Sequence, residues 1–310
     1  MRCVPWKLPS IHGDEKEHCD CNFPTPYNDV QNMLLQTKSK IGDYKLKHGC
    51  AAWSSAASQI DKKITLGKEK KPINRAYYKL VELIETCILA EPKTSLHLCE
   101  APGGFVQAAL EKYPKMQGAY MHSLLADGAP YFSHLLLHNL KTHLLRMYDG
   151  DINCPQVRQG IKKEVETVEF ITADGAVDSD VHPEYTEENN QQVLYNEIET
   201  ALSAQSIGGT LVVKVFGITL PPTYIAIAHL CRCYESVHLT KPTTSRGVND
   251  ERYIVCTKFT GSAELQKKVP TLWLQEVQSI SSEFALKQTK CIEDALRVDT
   301  VKHSTKRQKQ

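Results

Sequence analysis

No stretch of this 310-residue chain runs for the roughly 18–20 uncharged apolar residues that a bilayer-spanning helix needs. The opening MRCVPWKLPSIHGDEKEH lacks the apolar run of a secretory signal, so an intracellular protein is expected, nuclear or cytoplasmic, and cytoplasmic if the host is a virus. Charge imbalance is also missing. Lys and Arg number 37 against 36 Asp and Glu, a net charge of +1, and that excludes nothing, because a basic groove fits inside a neutral total. Both common nucleotide fingerprints are absent: there is no G-x-x-x-x-G-K-[ST] loop and no G-x-G-x-x-G, so neither ATP nor NAD is favoured. The eleven cysteines are an odd number for a disulfide framework, and Cys87, Cys99 and Cys256 sit inside apolar patterns, as reduced thiols do. His12, His18, Cys19 and Cys21 in HGDEKEHCDC lack a second paired set and the C-x2-C spacing, so no metal is expected. No internal repeat is present.

What is there is an ordered alternation. With 41% apolar and 24% charged residues the chain can bury one large core plus a small accessory region. Strand-like runs are SLHLC (95–99), GAYMHSLL (118–125), HLLRMY (143–148), VEFITA (168–173), GTLVVKVF (209–216), SVHLT (236–240) and RYIVCTKF (252–259). Helical spacing lies between and before them, in NRAYYKLVELIETCIL, FVQAALEKY, NNQQVLYNEIETALSAQS and PTYIAIAHLCRCY. Such alternation predicts an α/β fold, a mostly parallel sheet of seven strands with helices on both faces. Residues 1–70 read as an N-terminal extension with a helix over YNDVQNMLLQTKSKIGDYKL. Residues 71–262 read as the main domain, and residues 263–310 as C-terminal helices with a basic tail. Lys62, Lys63, Lys68, Lys70, Lys71 and Arg75 make a basic run before the first domain helix.

The stretch LHLCEAPGGF (96–105) ends a strand on Glu100 and places two glycines where a helix begins. Ligands of open α/β sheets bind beyond the carboxyl ends of the strands, and glycine lets backbone N–H groups approach them. An acid there suits a ligand carrying an ammonium or sulfonium group. Lys214 interrupts an apolar strand expected to be buried on both faces, so it requires an acidic partner or a functional site.

CEAPGGFVQAAL resembles the cofactor loop of the FtsJ-type S-adenosylmethionine-dependent RNA ribose 2′-O-methyltransferases, closest to the mRNA-cap branch. Further segments resemble that family in order: RAYYKL (75–80), ITADGAVD (171–178), GTLVVKVF (209–216) and KPTTSRGVNDERYIV (241–255). The resemblance implies a Rossmann-like methyltransferase fold and a catalytic tetrad of Lys79, Asp174, Lys214 and Glu251, with Lys214 as general base. It implies that Glu100, Ala101, Pro102, Gly103, Gly104 and Phe105 line the S-adenosylmethionine turn. RMYDGDI (146–152) resembles the segment whose acid faces the adenine, here Asp151 with Asp149 as the alternative, and Asp127 is the candidate for the ribose.

The chemistry agrees. A ribose hydroxyl is a poor acid and needs a base within about 3 Å. A neighbouring ammonium, partial burial and a sulfonium all favour a neutral lysine, while acids position the amines. Trp6, Trp53, Tyr77 and Tyr78 are candidates for stacking on bases, or for core. The implied substrate is the 5′ end of capped mRNA; ribosomal or transfer RNA, and a silent RNA-binding scaffold, stay open. RNA is the expected partner, no membrane is expected, and nothing in the sequence specifies a protein partner.

Overall fold

The computed structural model describes residues 5–11, 29–60, 71–177 and 182–307, with side chains to residue 297. Its described strands join in one sheet: β1 (Trp6–Lys7), β2 (Thr94–Leu98), β3 (Gly118–Met121), β4 (Thr142–Leu144), β5 (Val168–Ala173), β6 (Gln205–Phe216), β7 (Tyr234–Thr240) and β8 (Glu251–Phe259). The helices are α1 (Asp29–His48), α2 (Cys50–Ile60), α3 (Ala76–Cys87), α4 (Gly104–Lys112), α5 (His134–Leu137), α6 (Pro155–Glu164), α7 (Thr186–Ala204), α8 (Pro221–Cys233) and α9 (Thr271–Arg307). All seven strands expected from the sequence are present. β1 is an addition, two residues at the sheet edge pairing Trp6 with Leu239.

The strand order is β1-β7-β8-β6-β5-β2-β3-β4. Strands β2 to β6 run parallel, and β8 inserts antiparallel between β6 and β7. The chain winds from β2 through β4 toward one edge and from β5 to β6 toward the other. The direction therefore reverses between β2 and β5, which opens the crevice where open α/β sheets take their ligands.

Period-two alternation divides the side chains between two cores. Leu96, Leu98, Ile171, Leu211, Val213 and Ile254 face α6, α7, α8 and the start of α9. Phe170, Val212, Tyr253 and Val255 face the other way, onto Leu80 and Leu83 of α3 and Val106 and Ala109 of α4. Burying such aliphatic and aromatic side chains stabilises by about 1.5–3 kcal/mol each. Lys214, flanked by Val213 and Val215 in β6, lies by the same alternation on the α3/α4 side.

A third cluster was not foreseen. Leu34 and Ile41 of α1, Trp53 and Ala57 of α2, and Ala285, Ile292 and Ala295 of α9 enclose Val248. Helix α2 escaped sequence reading because CAAWSSAASQI consists mostly of small residues with no sustained apolar stripe. The C-terminal segment, expected as several helices, is a single 37-residue helix. No helix among the described residues is long and apolar enough to cross a membrane. Each of the eight cysteines among the described residues is a free thiol. His12, His18, Cys19, Cys21, Lys62, Lys63, Lys68 and Lys70 lie outside the described residues.

Candidate active site

Four strand ends meet at the crevice. Glu100 N–H donates to His122 O at 3.1 Å, Ala101 N–H to Ser123 Oγ at 3.4 Å, and Asp174 N–H to Leu98 O at 3.2 Å. Gly150, after β4, approaches Ser123 so closely that a Cβ would collide with its carbonyl oxygen. The exits of β2, β3, β4 and β5 are thereby tied into one edge. Asp149 and Asp151 follow β4; Asp149 Oδ1 accepts from Asp151 N–H at 3.0 Å, and Asp151 Oδ1 from Asn153 N–H at 2.9 Å. Asp127 stands exposed in the turn after β3.

The glycines at this turn are also closely packed. Gly103 has φ +107°, in the region that favours glycine, and Leu136 and Phe132 fill the space beside its Cα. A Cβ on Gly104 would collide with Asn74 Oδ1 and stand 2.8 Å from Tyr77 N. That residue is therefore small so that α3 can cross α4. Phe105 is fully buried, its ring 5.8 Å from that of Tyr253, so only its backbone can face a ligand at the turn.

Lys79, Asp174, Lys214 and Glu251 form two ion pairs at this edge. Lys214 Nζ lies 3.1 Å from Asp174 Oδ1 and donates to Asp174 O at 2.5 Å; Lys79 Nζ lies 2.7 Å from Glu251 Oε2. The register sets the pairs side by side, because Lys214 is opposite Tyr253 and Glu251 begins the same strand, opposite Phe216. Tyr253 Oη donates to Asp174 Oδ1 at 3.0 Å, and Ser245 Oγ to Glu251 Oε1 at 2.9 Å. The acidic partner demanded by a lysine in a buried strand is thus Asp174.

The electrostatics correct one expectation. Burial disfavours the Lys214 ammonium, but Asp174 and Glu251 outweigh it and hold the pKa above the ordinary lysine value. A neutral Lys214 was expected from a neighbouring ammonium, partial burial and a sulfonium together; in the protein alone its nearest charges are carboxylates. Glu251 shows the reverse balance: burial pushes it up, while Lys79 and Lys214 prevail and bring it to about 2.

Several site residues were missed. Glu197 of α7 is fully buried; its Oε1 accepts from Gly175 N–H at 2.8 Å, and its carboxyl also faces the Cys99 thiol. Burial raises its pKa to about 7, against the pull of that N–H and of Lys214. Glu100 is likewise pushed well up, by burial and by Asp174. Lys241 Nζ donates to Asn249 O at 2.7 Å and Glu251 O at 2.8 Å, closing the segment that carries Glu251. Glu82 of α3 accepts from Thr243 and Thr244 N–H at 2.8 and 3.0 Å, fastening that segment to the helix of Lys79. A buried Glu within an ordinary helical pattern gives no sequence signal; K-P-T-T-S-R, quoted for its likeness, already contained Lys241 and Ser245.

Beside the ion pairs opens a cavity of about 580 Å³ lined by Lys38, Lys45, Trp53, Phe216, Arg246 and Asn249, among others. Ala176 and Val177, just past Asp174, form part of its wall. Of the candidate stacking aromatics, Trp53 reaches this cavity. Trp6 is in the edge strand, and Tyr77, whose Oη donates to Glu111 at 2.9 Å, stands edge-on to Tyr78 on α3.

A cap-specific mRNA (nucleoside-2′-O-)-methyltransferase 2 from Pongo abelii is 28% identical over 288 residues, covering 83% of this chain and 36% of that protein. Its counterpart from Drosophila melanogaster is 24% identical over 265 residues, 74% of this chain and 36% of that protein. A cap-specific mRNA (nucleoside-2′-O-)-methyltransferase 1 from Danio rerio is 30% identical over 173 residues, 51% of this chain and 21% of that protein. The chain spans about a third of the length of the first two. Residues 72–259, more than half of the chain, match the FtsJ-like methyltransferase model, and the protein belongs to that family, which draws its methyl group from S-adenosylmethionine.

Proposed function

We propose that the protein methylates a ribose 2′-hydroxyl of RNA in the 5′ cap region of mRNA, with Lys214 as the general base. The observation that carries this reading is the pair of ion pairs, Lys214–Asp174 and Lys79–Glu251, at the crevice where the strand order reverses. The residues present fit a cationic cofactor. Glu100, Asp174 and Glu197 gather around one buried ammonium, that of Lys214. Burial drives Glu100 and Glu197 toward their protonated forms, and a positive group joining them favours the carboxylates. S-adenosylmethionine, when bound, supplies an electrophilic methyl on a positively charged sulfur. Glu100, Ala101, Pro102 and Gly103 line its turn, Gly104 and Phe105 contribute backbone at the start of α4, and Asp127 and Asp151 receive the nucleoside end.

Lys214 keeps its proton in the protein alone, because its carboxylate neighbours stabilise the ammonium. A further positive charge beside it favours the neutral amine, whose Nζ then accepts the proton of the 2′-hydroxyl. Asp174, itself fixed by Tyr253, aims Lys214; Lys79, held by Glu251 and thereby by Ser245, orients the ribose from the other side. The cavity beside them supports an RNA strand with a nucleotide at Trp53, near the cations of Lys45 and Arg246. The cap assignment is further supported by the relatives, whose names specify capped mRNA.

The test is mass-spectrometric mapping after incubation with methyl-labelled cofactor and matched capped and uncapped transcripts. Label is expected on a ribose 2′-oxygen within the first nucleotides of the capped transcript. Label on a base, or equal label on the uncapped transcript, would overturn the reading.

A further inference from the structure

We infer that Ser95, His97 and Thr172 form an ordered hydrogen-bond relay that positions Glu100 and holds it as a carboxylate toward the cofactor. This rests on the reading that Glu100 faces a cationic cofactor. All four side chains are buried, the first three completely and Glu100 to 3% exposure. Ser95 Oγ and His97 Nε2 are 2.9 Å apart, His97 Nδ1 and Thr172 Oγ1 2.8 Å, and Thr172 Oγ1 and Glu100 Oε1 2.9 Å. The parallel register puts His97 of β2 directly beside Thr172 of β5, across the switch point. Alternation places Ser95 and His97 on one face, and the edge of Phe170 closes over the imidazole at 6.3 Å between ring centroids.

The direction of the relay follows from counting protons. Thr172 has one hydroxyl hydrogen, and a carboxylate can only accept, so that hydrogen goes to Glu100. Thr172 must then accept from His97, which requires the Nδ1–H form of the ring. Burial keeps the imidazole neutral, lowering its pKa to about 3, so Nε2 carries a lone pair and accepts from Ser95. With Glu100 ionised, as a cationic cofactor requires, each group has one available role and the chain ends on the acid; a protonated Glu100 would run it the other way.

Glu100 requires such support. Asp174 just past β5, Glu197 from α7, Tyr253 from β8 and Cys99 beside it all face it, and among the described residues Lys214 of β6 brings the positive charge. Burial and the two carboxylates favour the protonated acid; the Thr172 hydroxyl and Lys214 favour the carboxylate. Thr172 is thus a positioning residue with a chemical consequence, and His97, by accepting from Ser95 and donating to Thr172, leaves that hydroxyl no other direction.

Two measurements test this. Nitrogen-15 NMR of the imidazoles in the cofactor-free protein, with His97 assigned through His97→Gln, reads its tautomer directly. An Nδ1–H ring that stays neutral from pH 8 to 5 is expected, and an Nε2–H ring or an imidazolium would overturn the relay. The second is calorimetric binding of S-adenosylmethionine against pH. Thr172→Val keeps the shape of the side chain and removes the donor, so affinity should fall roughly tenfold at pH 7. The pH at which binding is half lost should move upward, and Thr172→Ser should restore both. A Thr172→Val protein of lowered melting temperature but unchanged pH midpoint would reduce Thr172 to packing and overturn the inference. Wild-type protein that binds no cofactor at any pH would instead defeat the reading of the site, while the tautomer measurement would still decide the relay.

Discussion

Replacing Lys38 by Met should destabilise the protein by about 3 kcal/mol, although Lys38 lies on α1, far in sequence from the methyltransferase-like segments. Its Nζ is 2.5 Å from Asp250 Oδ2, and the two side chains are 6% and 5% exposed. Removing one member of a buried pair typically costs about 3–5 kcal/mol, because the remaining charge is left without compensation. Arg252 approaches the other oxygen of Asp250 at 3.6 Å and shares the load, which puts the estimate at the low end. For a chain of 310 residues the loss corresponds to a melting temperature lower by roughly 5 °C. Urea denaturation at pH 7 measures it, with Asp250→Asn and the double variant closing a mutant cycle. The double variant should recover part of the loss, since the Asp250 charge is no longer stranded and Arg252 keeps Glu187 and the Phe284 ring as neighbours. The sign with pH is also fixed. Burial raises the Asp250 carboxyl, but Lys38 and Arg252 hold it below the usual value. Its contribution is therefore present above about pH 4 and lost as pH falls through the depressed value, so the two proteins should converge in acid. A Lys38→Met protein within 1 kcal/mol of wild type, or a cycle with no coupling, would refute the idea that α1 anchors the residue preceding Glu251.

Gly104→Ala should lower stability by about 1–3 kcal/mol through the collision with Asn74 and Tyr77, so thermal melting should report a change before any loss specific to cofactor binding. Glu197→Gln should be near neutral at pH 5 and stabilising by up to about 3 kcal/mol above pH 7. The buried carboxyl has a pKa raised to about 7, so wild type loses stability as pH rises through the ordinary carboxyl range to that value. Stability curves of the two proteins at pH 5 and pH 8 check this, and parallel curves would refute it.

The sheet was legible because its signal is local. Buried parallel strands such as VEFITA and GTLVVKVF are short apolar runs bounded by polar turns, and each lies where its run lies. Lys214 could be singled out for the same reason, since one cation in such a run stands out. The Lys38–Asp250 pair spans 212 residues, and nothing local joins a lysine on an amphipathic helix to an aspartate in a loop. Helix α2 has a weak pattern, and its place is settled by α9 and Val248, which sequence does not bring together. The glycines were visible, but their role in close helix crossing was not: Gly-Gly at a strand exit suits ligand approach and helix crossing alike, and the crossing depends on where α3 lies. His97 was read as part of a strand, because its partner Thr172 is 75 residues away on the neighbouring one.

The central claim is that Lys214 takes the proton from the ribose, and a single-turnover assay of Lys214→Arg with saturating RNA and labelled S-adenosylmethionine tests it most directly. A guanidinium can still pair with Asp174 but stays protonated at any working pH, so it replaces the charge of Lys214 without its chemistry. The account predicts a rate lowered by far more than tenfold with cofactor and RNA affinities retained, and a wild-type rate that rises with pH as the ammonium, disfavoured by the positive charge of the bound cofactor, gives up its proton. A Lys214→Arg enzyme that keeps more than a tenth of the wild-type rate, a loss below about 1.4 kcal/mol, would contradict it and leave position 214 to position the ribose while another group accepts the proton.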